Sequence, residues 1–411
     1  MRQDKDEVRK QVKYQIENQV KYQVKNRTNH QFRHQIKGKI STVPGCLLFY
    51  ICAFLLLLSM TCPGQAQAES GLTSYYQKSL HFSGAGMRYW YEGKNGFMTL
   101  TKVPYTQAGC TQCHASSCDQ CHGTKDKTGK VGFSTNEARK NATCFGCHLK
   151  EKLVIELSQN DENKDVHTAA RMSCITCHKD PDIHGDGVAR QSFQDTGVIT
   201  TSCESCHVGE KTKGPRFDPE IRAHKRHKKS TELHCNACHV KAVLTCYNCH
   251  FSEFMKTRSQ NGNFIPTSNP LMLINHQGKV TAATAMVLVH DKKTYVSYTP
   301  YFTHNIMKKG RDCQECHGNA AIQLLKKGEK IPVSTFENGR IQFWSGVIPI
   351  ADDILQFQFL DKRKGEWIPL NTGKPDIERY THQAGPLSEK QIKILKVSFG
   401  GGNPKSQGKS K

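Results

Sequence analysis

Apolar residues recur with two different periods along this 411-residue chain, and each period marks a different kind of element. Near the N-terminus, Val8, Val12, Ile16, Val20, Val24, Phe32 and Ile36 fall on a four-residue grid. There QVKYQIEN at 11–18 returns as QVKYQVKN at 19–26. The spacing suits an amphipathic helix, but the repetition reads better as a low-complexity extension. An uncharged apolar run, CLLFYICAFLLLLSM, then fills 46–60, behind Lys37 and Lys39 and ahead of Ala66-Gln67-Ala68. Basic flank, short apolar run and small-x-small triplet together predict a secretory signal cleaved after Ala68. The run is short for a spanning helix, which needs about 20 residues, so a retained membrane anchor is the lesser reading.

Farther on the period falls to two. Residues 271–275, 279–289 and 294–299 read as strands, with turns at His276-Gln277-Gly278 and Asp291-Lys292-Lys293. Asn338-Gly339 is a hairpin turn between apolar runs, and Leu355, Phe357 and Phe359 alternate as in a half-buried strand. A final short helix is predicted from Ser388, with Gln391 completing a capping box, and residues 403–411 are predicted to be disordered. The rest shows little regular pattern. Three regions follow: an extension and signal over 1–68, a main domain over 69–320 with a β-rich insert at about 255–300, and a β-rich C-terminal segment over 321–411.

Composition changes this picture. Only 36% of residues are apolar, which is lean for a chain of this length, and there are 19 Cys and 20 His. The formal charge is +22. Such an excess can signal nucleic acid or an anionic membrane, but the motifs below give it another use.

Cys-x-x-Cys-His occurs eight times: Cys110-Thr-Gln-Cys113-His114, Cys118-Asp-Gln-Cys121-His122, Cys144-Phe-Gly-Cys147-His148, Cys174-Ile-Thr-Cys177-His178, Cys203-Glu-Ser-Cys206-His207, Cys235-Asn-Ala-Cys238-His239, Cys246-Tyr-Asn-Cys249-His250 and Cys313-Gln-Glu-Cys316-His317. These use 16 of the 19 cysteines; Cys46, Cys52 and Cys62 lie in the signal segment. Two intervening residues let two thioethers reach the two vinyl positions on one porphyrin edge, and the adjacent His meets the iron. Zinc ribbons or disulfides would use the cysteines but leave the eight following histidines without a purpose. The expected cofactor is therefore covalent haem c, eight per chain. At about −1 to −2 per haem, the propionates would offset much of the basic excess.

Ten histidines lie outside the motifs beyond the signal. The expected distal ligands are His81, His167, His184, His224, His227, His234 and His304. His290, His276 and His382 compete for an eighth place, which goes to His290. Proximal histidines His114 and His122 would lie only about 12 Å apart if joined by helix. The expected fold is a haem-packed cytochrome, mostly coil with short helices, plus the small β-rich insert and the β-rich C-terminal region. Tyr89-Trp90-Tyr91 reads as haem packing.

These motifs make the chain resemble the multihaem cytochromes c of anaerobic respiration, specifically the octahaem class. The resemblance rests on residues 110–317 and does not reach the tail. It implies haem attachment at the motif cysteines and proximal histidines, and it leaves activity open. Proteins of that class include electron carriers, filament-forming cytochromes and reductases of small nitrogen or sulfur oxyanions. The first reading is an exported electron carrier of the periplasm or cell surface, with redox proteins as partners: a quinol-oxidising membrane cytochrome or other cytochromes. A reductase with one open haem and a self-assembling filament subunit are the alternatives. None of the eight motifs has Lys in place of its proximal His.

Overall fold

A computed structural model describes residues 69–397, except 109–113, 159–163, 210–211, 213, 231–232, 258–262 and 303. The N-terminal grid, the signal segment and the 403–411 tail lie outside the described residues. The chain forms two compact units, 1–75 and 76–411. Of the first, only the start of the Glu69–Lys78 helix is described.

From residue 79 to 244 the second unit is a succession of short helices. They include Leu80–Ser83, Ala85–Glu92, Asp119–His122, Asn141–Phe145, Leu149–Ser158, Cys174–Cys177, Cys203–His207, Arg222–Ser230 and Cys235–His239. One hairpin, β1 (Gly123–Lys125) with β2 (Val131–Phe133), interrupts them. Most of these helices are one or two turns long, too short to persist alone, so packing must hold them.

The remainder is built on strands: β3 (Thr245–His250), β4 (Ile265–Thr267), β5 (Pro270–His276), β6 (Lys279–His290), β7 (Lys293–Pro300), β8 (Ile331–Pro332), β9 (Ser334–Glu337), β10 (Arg340–Phe343), β11 (Gly346–Pro349), β12 (Leu355–Arg363), β13 (Glu366–Gly373), β14 (Ile377–Tyr380) and β15 (Ala384–Gly385). β3–β7, β11, β14 and β15 make one eight-stranded sheet around β6. β5, β6 and β7 are antiparallel neighbours, joined by turns at Gln277-Gly278 and Asp291-Lys292. In both turns the two central residues are left-handed, as the tightest hairpins require. β11 and β14 come from the C-terminal stretch and add in parallel to β5 and β7. Asn338-Gly339 turns the β9–β10 hairpin as its sequence predicts. The helix Glu389–Leu395 starts on the Ser388–Gln391 capping box.

The expected architecture needs correcting. Strands and helices together make up more than half of the described residues, which are not mostly coil with a small insert. The insert and the tail share one sheet. Nor does the protein lack a core of its own. Tyr247, Ile274, Val287, Val296, Tyr298, Phe357 and Phe359 are among a wholly buried cluster between that sheet and the β8–β12–β13 sheet. β12 is therefore covered on both faces: Gln358 and Leu360 are buried along with Phe357 and Phe359. A second cluster joins Tyr91, Phe97, Tyr105, Phe251, Leu288 and Tyr295, so Tyr91 packs against protein aromatics. The His114–His122 segment is not continuous helix, because residues 114–118 are irregular.

Candidate metal centres

Local sequence explains how most motif histidines are presented. Five of the motifs lie on short helices over Asp119–His122, Cys174–Cys177, Cys203–His207, Cys235–His239 and Cys313–His317. In three, the residue before the first Cys and the residue before the second form a capping box: Ser173 with Thr176, Ser202 with Ser205, and Asp312 with Glu315. The box fixes the first turn, so both cysteines and the following His project from one turn of helix. His148 follows the helix Asn141–Phe145 in the same way. Cys110 and Cys113 lie outside the described residues.

Six of these motif histidines each face a histidine from outside the motifs. The ring centroids are 6.1 Å apart in His122–His184 and 6.0 Å in His148–His81. They are 6.2 Å apart in His178–His304, His207–His167, His239–His224 and His317–His227. This gap is too wide for stacking contact and too regular for accident. Two imidazoles bound on opposite sides of one ion, each by a metal–nitrogen bond of about 2.0 Å, would set their centroids about 6 Å apart. The helix Arg222–Ser230 supplies two of the facing residues, because His224 and His227 are one helical turn apart.

The other ring nitrogen is held in most of them. Nδ1–H donates to a backbone carbonyl in His81 (Ile183, 3.1 Å), His207 (Pro215, 2.7 Å), His224 (Asp218, 2.6 Å), His227 (Ala223, 2.8 Å), His239 (Met307, 3.0 Å) and His317 (Leu395, 3.1 Å). His184 donates to the Asp180 carboxylate at 2.7 Å. Such a bond orients the ring and leaves Nε2 as the lone-pair donor, as metal-bound histidines require. Burial pushes the His81, His178 and His317 imidazoles below their ordinary pKa, and the facing histidine adds to the effect. That favours the neutral, ligating form.

The facing histidines come in twos. Among the described residues, no group of three or more His, Cys, Asp or Glu could hold a metal ion. An ion between such a pair must bring its own equatorial donors, as an iron porphyrin does. Pocket lining agrees at the last motif: Cys313, Cys316, His317 and His227 share a cleft with Leu273 and Leu395. These residues fit a haem. The motifs also neighbour one another in order. Cys121 lies near Cys144 and Cys147, Cys144 lies beside Cys174, and Cys177 lies near Cys203 and Cys206. Cys203 in turn lies beside Cys235, and Cys238 lies near Cys313.

Two motifs stand apart. Cys246-Tyr-Asn-Cys249-His250 lies on β3, within the large sheet, not on a helix. Asn248 is left-handed, which makes a break in the β3–β6 register between Cys246 and Cys249. Tyr247 hydrogen-bonds Ser334 and the Gln358 carbonyl, and Asn248 donates to the Leu360 carbonyl at 3.0 Å. Cys246 instead neighbours the buried Lys150, and Cys249 packs with the Tyr91–Phe251 aromatics. His250 is buried, and its Nε2 meets the Asp361 carboxylate at 3.0 Å. A buried carboxylate, not an exchangeable hydroxyl as at His114, holds the nitrogen that would bind iron, and the cysteines lie half-buried within a sheet. This motif does not fit a haem.

His114 is the other exception. Its Nε2 is 2.7 Å from the Tyr105 hydroxyl, and the two rings are inclined by 25° with centroids 5.9 Å apart. It presses on Gly84, where a Cβ would sit 2.0 Å from Nε2 and where φ is +60°, so glycine is required twice over. Arg88 lies near both rings.

The remaining expected ligands make other ring contacts or hydrogen bonds. His234 faces His276, another residue outside the motifs. His290, given the eighth place from sequence, lies near the motif histidine His250, but its Nδ1 bonds Ser252 at 2.9 Å and its Nε2 lies 3.5 Å from Asp291. His382 bonds Ser192 and packs on Phe193 and Tyr89. No family model, curated protein or solved structure matches this chain.

Proposed function

We propose that this protein is an exported multihaem c-type cytochrome that passes electrons along a row of bis-histidine haems. One observation carries the reading: six motif histidines each face a second histidine at 6.0–6.2 Å. The cysteines and histidines of the seven motifs other than Cys246–His250 would hold covalent haem. Each iron, when bound, supplies a one-electron couple. At six of these sites two of the chain's histidines would hold the iron, which would leave no place there for a substrate. The neighbouring order of the motifs provides a route through the fold. By its signal segment the protein would work in the periplasm or at the cell surface, receiving electrons from and passing them to other redox proteins.

A second reading attaches to His114, which has a tyrosine hydroxyl rather than a histidine opposite it. Arg88 beside it would suit an anion, so this position is where a small nitrogen or sulfur oxyanion would be reduced.

Low-temperature EPR of the oxidised purified protein, with covalent haem quantified by mass, tests both. We expect low-spin bis-imidazole signals and about seven covalent haems per chain. Absence of covalent haem or of those signals would overturn the carrier reading. A stoichiometric high-spin signal that shifts with nitrite, hydroxylamine or sulfite would establish the second.

A further inference from the structure

His234 and His276 face each other with centroids 6.2 Å apart and rings inclined by 27°. That is the geometry of the six motif pairs, yet neither residue follows a cysteine pair. His276 ends β5, held between Lys279 of β6 and Ala384 of β15. It is 5% exposed, and neither of its ring nitrogens has a hydrogen-bond partner, although the His382 backbone lies near. A buried imidazole without partners for its nitrogens is costly unless something else uses it. His234 is held just as firmly. It is the N-cap of the helix Cys235–His239, and its N–H donates to the Val280 carbonyl at 3.0 Å. Phe302 stands edge-on to its ring at 5.9 Å.

We infer that His234 and His276 are the two axial ligands of a further iron porphyrin, held without thioether links. The opposed rings point to an ion that carries four equatorial donors of its own. The 6.2 Å separation also argues against tetrahedral zinc, which would bring the rings closer. The spare cysteine pair cannot serve this site. Cys246 pairs with Met286 on β6, whereas His276 pairs with Lys279, seven residues away. Along an extended strand that is about 23 Å. The site does adjoin the motif chain, because Glu204 and Cys235 lie beside His234.

The inference rests on the haem reading above for the meaning of a 6 Å gap, but its test is separate. Acid–butanone extraction of the full-length protein removes non-covalent haem and leaves thioether-bound haem on the chain. We expect about one extractable haem per chain. H276A should abolish that fraction while the covalent count stays unchanged. H234G should lose it too, and free imidazole in the buffer should restore it. Should H276A disturb folding, H276M keeps an iron ligand and should retain the extractable haem with an altered spectrum. No extractable haem in the wild type, or the same amount in H276A and H234G as in wild type, would overturn the site. Loss of covalent haem throughout would overturn the broader proposal and leave the extraction result to decide this one.

Discussion

A histidine's second nitrogen separates the two kinds of histidine in this protein. Where Nδ1 donates to a carbonyl, as in His207, His224 and His239, Nε2 is left to meet a partner ring. In His250 the roles are reversed: Nε2 meets Asp361 and Nδ1 is buried without a partner. The same Asp361 also accepts from the Arg363 guanidinium at 2.8 Å. His250 is therefore a structural residue despite its motif. H250A should leave the covalent haem count and the low-spin EPR signals unchanged. It should also destabilise the fold by about 1–3 kcal/mol, because it removes one of the buried partners of Asp361 and the packing of the ring. H239A should do the opposite to the spectrum and remove one low-spin centre. Loss of a haem from H250A would return this motif to the haem set. The measurement is intact mass and EPR on both variants, with denaturant unfolding alongside.

At the scale of elements, local rules were legible and long-range pairings were not. The turn at Asp291-Lys292-Lys293 was readable because charged residues interrupt two apolar runs. The structure adds that Asp291 and Lys292 both have positive φ without a glycine. A non-glycine residue there costs roughly 1–2 kcal/mol of backbone strain, partly offset by glycine's entropy cost. K292G should thus raise stability by about 0.5 kcal/mol in denaturant titration, and a loss would show that the turn is not strained. The strands over 271–299 were readable by the same means. Their union with β11 and β14 was not, since those parallel pairs join residues about 70–80 apart through no local pattern. The half-buried reading of Leu355, Phe357 and Phe359 failed for a related reason: polar Gln358 is buried through bonds to the Phe359 and Asn371 carbonyls. A capping box around the first Cys of three motifs, as in Ser202-Cys-Glu-Ser205, was a sequence signal that could have separated those helical motifs from the strand motif. Facing partners depended on tertiary placement. Six expected distal histidines face a motif histidine, but His276 gave no sign in sequence that it would face His234.

At the scale of the whole molecule, the order of the motifs in space matters more than their number. Neighbouring cysteines run from the second motif through the third, fourth, fifth and sixth to the last, skipping the strand motif. The helix Arg222–Ser230 clamps the far end of that row, with His224 opposite His239 and His227 opposite His317. A row has no detour, so altering one internal position should affect transfer past it. H224M replaces an imidazole with a thioether, a ligand that raises the potential of haem iron. On the proposed reading this creates an electron sink at the sixth motif, between the fifth and the last. Stopped-flow reduction should then split, with one centre filling early and the centres beyond it filling late. H227M, at the end of the row, should raise one potential without slowing the others. If both variants reduce alike, the motifs are branched rather than serial, and the contacts between Cys203 and Cys235 do not mark the path.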